Sequence, residues 1–64
     1  GDLPAALNNL GALLLQEGDF DKARELLTRA KEAGVKEAEA NLKELEAKIQ
    51  DNLKLERLQR INKR

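Results

Sequence analysis

The chain has 64 residues, and its twelve basic and twelve acidic side chains give a formal net charge of zero. It contains no Cys, His or Ser, which excludes disulfide bonds, imidazole chemistry and the usual nucleophilic triads. We therefore expect no enzyme activity, no catalytic residue, no cofactor and no metal centre. The sequence also shows no signal-peptide pattern and no apolar run of transmembrane length.

The first predicted helix runs from Leu3 to Glu17. Asp2 is a favourable N-cap residue, and Pro4 lies in the first turn, where its missing N–H costs nothing. Gly18 follows the helix at the place where a left-handed residue is favoured. At about 100° per residue, four leucines share one side of the helix and predict its core face: Leu3, Leu7, Leu10 and Leu14.

The second predicted helix runs from about Phe20 to Ala33, with Asp19 as its N-cap. Gly34 ends it, and Val35 is placed for the apolar contact of a Schellman-type cap. Six apolar residues recur at helical spacing and predict the buried face: Phe20, Ala23, Leu26, Leu27, Ala30 and Ala33.

The third predicted helix starts near Lys36, and no internal breaker follows it. Its apolar stripe is Ala38, Leu42, Leu45, Ile49 and Leu53. Beyond the stripe, Leu55, Leu58 and Ile61 fall on nearly the opposite side, so one straight helix does not bury both sets against the same hairpin. The first two helices are also shorter, and we expect residues beyond about 53 to overhang. Since no strand pattern competes, the fold class is all-α with three helices.

The spacing of small and large residues in the first two helices resembles a tetratricopeptide repeat. The residues that carry the resemblance are Leu7, Leu10, Gly11, Leu14, Gly18, Phe20, Ala23, Leu27 and Ala30. The match covers residues 2–35, one helix-turn-helix repeat. Residues 36–52 then resemble the capping helix that closes an array, and residues 53–64 form a basic helical extension or a frayed tail.

The resemblance implies a protein–protein interaction or scaffolding module whose first helix lines a groove for a peptide or partner helix. The groove-facing positions would be Ala5, Asn8, Ala12, Leu15 and Gln16, although Asn8 and Gln16 also fit a plain solvated surface. Because arrays usually need three or more repeats, we expect the C-terminal end of a longer array. The alternative is a structural cap that self-associates as a homodimer. The family occurs in the bacterial cytoplasm and in the cell envelope, and the sequence leaves both open.

The C-terminal segment supports a different hypothesis, a basic amphipathic helix for an acidic partner, nucleic acid or a membrane surface. Its contact residues would be Leu55, Leu58 and Ile61 with Arg57 and Arg60. The three apolar residues of this segment would contribute little free energy of insertion into a membrane, and residues 53–64 contain no aromatic side chain that could stack on bases. Nucleic acid and membrane are therefore disfavoured against another protein, and an overhanging helix end without a partner remains the plain alternative.

Overall fold

The computed structural model describes residues 2–62, which form three helices: α1 (Leu3–Glu17), α2 (Phe20–Glu32) and α3 (Lys36–Asn62). α1 and α2 pack along each other as a helical hairpin, and α3 packs mainly against α2. No strand occurs among the described residues, so the all-α prediction is confirmed. None of the helices in this part of the chain is long and apolar enough to cross a membrane.

Both predicted glycine stops are confirmed. Gly18 has φ 89° and Gly34 has φ 96°, the left-handed conformation that side chains with a Cβ disfavour. After each glycine the backbone turns back on the helix: the amide of Asp19 donates to the carbonyl of Leu14 at 2.9 Å, and that of Val35 donates to Ala30 at 3.0 Å. These bonds satisfy carbonyls that a helix end would otherwise leave unpaired.

The predicted aspartate N-caps are wrong in one respect, because neither side chain makes a capping hydrogen bond. Asp2 and Asp19 have ψ angles of 72° and 76°, short of the extended region that N-cap residues usually adopt. Their backbone carbonyls instead begin the helices, accepting from Ala6 at 3.1 Å and Ala23 at 3.0 Å.

The core lies where the three helices meet. Leu27 and Leu45 are its largest fully buried side chains, and Leu15 and Ala23 complete the buried cluster. Half-buried apolar residues pack around it: Leu14, Phe20, Leu42 and Ile49. Gly11 allows α1 and α2 to approach closely, since a Cβ there would lie 2.7 Å from Leu27 Cγ and 3.3 Å from the Leu27 amide nitrogen.

The predicted core face of α1 needs correction. Leu3 and Leu10 are 68% and 47% exposed, whereas Leu15, predicted to lie off the core, is 2% exposed. The reason is that the hairpin partner and α3 both meet α1 on the side that carries Gly11 and Leu15. The leucine stripe on the other side has only partial cover from α2.

α3 is one continuous helix through Asn62, much longer than the hairpin. At 1.5 Å per residue its 27 residues span about 40 Å, against about 22 Å for the 15 residues of α1. Ala38 and Leu45 are fully buried as predicted, but Leu53 is exposed. Every residue from 50 to 61 is exposed, so the predicted overhang is confirmed and begins just after Ile49. Residues 51–62 are called the α3 extension below.

Candidate interaction surfaces

One side of α1 presents leucines to solvent. Leu3, Leu10 and Leu13 fall within about 80° of one another on the helix, and all three are exposed. We call these three residues the outer face. The opposite side of α1 contributes Leu15 to the core. The helix therefore has apolar residues on two sides, and both would be buried only if a second helix packed against the outer face. The described chain covers one of them.

The outer face continues into a shallow apolar depression between α1 and α2. Its lining consists of Leu10, Leu14, Lys22, Glu25 and Leu26. Leu14 and Leu26 are half-buried, while Lys22 and Glu25 are exposed at the rim, and Glu25 pairs with Arg29 at 3.2 Å. An apolar floor with charged residues at its edge is suited to a side chain from another helix.

The predicted groove residues lie on the other side of α1, facing α3, and the structure closes much of that side. Asn41 Nδ2 in α3 donates to Asn8 Oδ1 at 3.0 Å, and Asn8 is 8% exposed. Leu15 belongs to the core cluster. In the described chain Asn8 and Leu15 therefore face the interior beside α3 and not an open groove, and Asn8 is not solvent-exposed. Their part in binding a partner stays a prediction.

The remaining groove positions differ in exposure. Ala5 and Ala12 are half-buried, and Gln16 is exposed. A small surface depression between α1 and α3 is lined by Ala12, Leu15, Gln16, Glu44 and Lys48. Two of these five side chains carry opposite charges, and the apolar floor is narrow.

Asn41 is a residue that the sequence interpretation missed. It lies about 40–60° from Ala38 and Leu45 on the helix, at the edge of the buried stripe. An amide at the edge of an apolar stripe is a signal for a polar contact within the core. Finding its partner Asn8, 33 residues earlier, requires knowing how α3 lies against α1.

The α3 extension carries the predicted tail residues away from the rest of the molecule. Leu55, Leu58 and Ile61 are exposed, as are Arg57 and Arg60. The segment is helical and carries Leu55, Leu58 and Ile61 on one broad side, with Leu53 on nearly the opposite side. The predicted tail also included Lys63 and Arg64, which lie outside the described residues.

The two uncovered apolar surfaces differ in charge. Residues 2–21, which include the outer face, carry four acidic side chains and no basic one. Residues 53–64 carry five basic side chains and one acidic one. These two sequence segments therefore have formal charges of −4 and +4, to which Lys63 and Arg64 contribute outside the described residues, and the α3 extension itself has a formal charge of +1.

Comparison of the chain with protein-family models, with curated proteins and with solved structures gave no match. Among the residues that the structure describes, no group of three acidic side chains is placed to hold a metal ion. The functional interpretation therefore depends on the two apolar surfaces and their charges.

Proposed function

We propose that the chain is a non-catalytic protein-interaction module of the tetratricopeptide-repeat type, in which α1 and α2 form one repeat and α3 caps it. Its outer face binds a helix that lies outside this chain's own three-helix core. The observation that carries this proposal is the exposure of Leu3, Leu10 and Leu13 on a helix whose opposite side is already buried in the core.

Packing within the hairpin supports the repeat interpretation. Ala23 and Ala30 are fully buried, so these small residues stand where neighbouring helices approach. Gly11 has the same role opposite Leu27, where a Cβ has no room. In repeat proteins each unit packs only against its neighbours, and a module at the C-terminal end of an array would receive the preceding repeat on its outer face.

α3 supports the role of a cap. It buries Ala38 and Leu45 against the hairpin, and its other side is charged and exposed, as terminal repeat helices require for solubility. The exposed charged residues of this side include Lys36, Glu37, Lys43, Glu44 and Lys48.

A tandem chain tests the proposal. A second copy of residues 2–35 is joined directly before Asp2, so that its helices can pack on the outer face of the downstream copy. Covering Leu10 and Leu13 should raise the free energy of unfolding of the downstream module by about 2 kcal/mol, measured by urea titration with circular dichroism at 222 nm. The control is the same tandem chain with Leu10→Lys and Leu13→Lys in the downstream copy, which should lose the gain. A downstream module that unfolds at the same urea concentration as the single copy would contradict the proposal.

A further inference from the structure

We propose that the occupant of the outer face is the α3 extension of a second copy of this chain, and that two copies exchange their extensions in a reciprocal dimer. This inference rests on the proposed function, because it names the helix that the outer face accepts. It also gives a role to Leu55, Leu58 and Ile61, which are exposed in the single chain.

Charge complementarity favours this occupant. The outer face lies in a segment, residues 2–21, with four acidic and no basic residues, and the extension carries three basic side chains, Lys54, Arg57 and Arg60, against two acidic ones. Glu17 falls about 20° from Leu10 around α1, at the end of the outer face. On the extension, Lys54 and Arg57 fall about 20° and 40° from Ile61. The contact therefore joins leucines flanked by carboxylates to leucines flanked by cations.

The lengths also agree. The twelve residues of the extension span about 18 Å, and the fifteen of α1 span about 22 Å. α3 is thus nearly as long as two hairpins placed end to end. The C-terminal end of α1 lies beside Lys48 and Asp51, close to where α3 leaves the hairpin. A two-fold axis at this end of α1 would place each extension along the outer face of the other copy. Such a two-fold interface stops at the dimer, because the outer face and the extension of both copies are buried in it at the same time.

Other pairings satisfy fewer of these observations. Two extensions packed through their leucines would bring Lys54 and Arg57 of both copies together, and two outer faces packed on each other would bring the carboxylates of Asp2 and Glu17 together. Like charges in contact oppose association. An unrelated acidic partner would bury the extension and leave the outer face exposed to solvent, whereas a second copy would bury both surfaces.

Matched substitutions test the contact. Light scattering with refractive-index detection should give a mass that rises with concentration from 7.2 kDa towards twice that value. Leu58→Asp and Leu13→Asp should each weaken dimerisation by about tenfold or more, because each places a carboxylate in an apolar contact. Gln59→Asp and Gln16→Asp add the same charge at exposed positions off the two faces, and each should change the dissociation constant by less than about threefold.

A charge exchange identifies which surfaces meet. One variant carries Lys54→Glu and Arg57→Glu, and the other carries Asp2→Lys and Glu17→Lys. Each variant alone should dimerise about tenfold or more weakly than the original chain, since its own two surfaces then carry like charge. An equimolar mixture should form a mixed dimer, because both of its contacts join opposite charges. Native mass spectrometry distinguishes the mixed dimer from the two self-pairs by mass.

Several results would overturn the inference. The first is a mass of 7.2 kDa at every concentration. This result would exclude the dimer regardless of whether the chain binds vesicles of anionic lipid or a DNA duplex. A dimer that survives Leu58→Asp but is lost with Leu13→Asp would instead indicate two outer faces packed together. A mixture of the charge variants that remains monomeric would exclude the exchanged contact. If the single chain is monomeric while the tandem chain gains stability, the proposed function stands and only the second copy is excluded.

Discussion

Gly11 sets how closely the hairpin helices approach, and its replacement should destabilise the fold. Gly11→Ala gains about 1 kcal/mol of helix propensity, but its Cβ would overlap Leu27, whose side chain is fully buried. Overpacking in a filled core costs about 1–3 kcal/mol, so we expect a net loss of about 1 kcal/mol in urea unfolding. Asn9→Ala, on the exposed side of the same helix, should not destabilise. Equal or higher stability for Gly11→Ala would show that Leu27 moves aside freely.

The hydrogen bond between the side-chain amides of Asn8 in α1 and Asn41 in α3 can also be tested by single substitutions. Asn8→Ala removes the acceptor for Asn41 Nδ2 in a part-buried site and should cost about 1–2 kcal/mol of unfolding free energy. Asn8→Ala combined with Asn41→Ala should cost less than the sum of the two single changes, with a coupling of about 0.5–1.5 kcal/mol. Strict additivity in thermal or urea unfolding would show that the hydrogen bond contributes nothing.

At the scale of the helices, local chemistry predicted the bounds of α1 and the side of α3 that is buried. Gly18 and Gly34 predict left-handed turns because glycine adopts a positive φ without a Cβ penalty and each stands where a helical apolar pattern ends. The stripe from Ala38 to Ile49 also follows from spacing alone, since the rest of α3 in that region is charged except for Ala40, Asn41 and Ala47. For these turns and for the buried side of α3, the local sequence is compatible with only one arrangement.

α1 shows where the same reasoning fails. Its apolar residues extend around more than one side, so periodicity identifies two candidate core faces and does not rank them. Leu15 rather than Leu10 is buried because α3, more than twenty residues further along the chain, lies on the Leu15 side. The Asn8–Asn41 bond depends on the same crossing. For this reason periodicity did not show that Asn8 and Leu15 are buried, whereas the surplus of leucines on α1 was visible in the sequence.

The whole molecule is long for its size. Its Cα radius of gyration is 14.1 Å and its principal extents are 54 × 16 × 12 Å, whereas a compact domain of 64 residues would have a radius of gyration of about 11 Å. The excess length comes from the α3 extension, which lies beyond the hairpin and whose residues 51–61 are all exposed. Residues 2–49 hold the core, whereas the proposed association would use the extension together with the exposed leucines of the outer face.

This division predicts the effect of shortening the chain. At concentrations where the protein is monomeric, a chain ending at Asn52 should match the full chain in urea unfolding to within about 0.5 kcal/mol, because the removed residues are exposed. A chain ending at Lys48 is the control, since it also lacks half-buried Ile49 and should lose about 1–3 kcal/mol. At higher concentrations only the full chain should gain stability, because association that requires the extension stabilises the folded state by mass action. If the Asn52 chain were destabilised as much as the Lys48 chain at low concentration, the extension would be part of the monomer core.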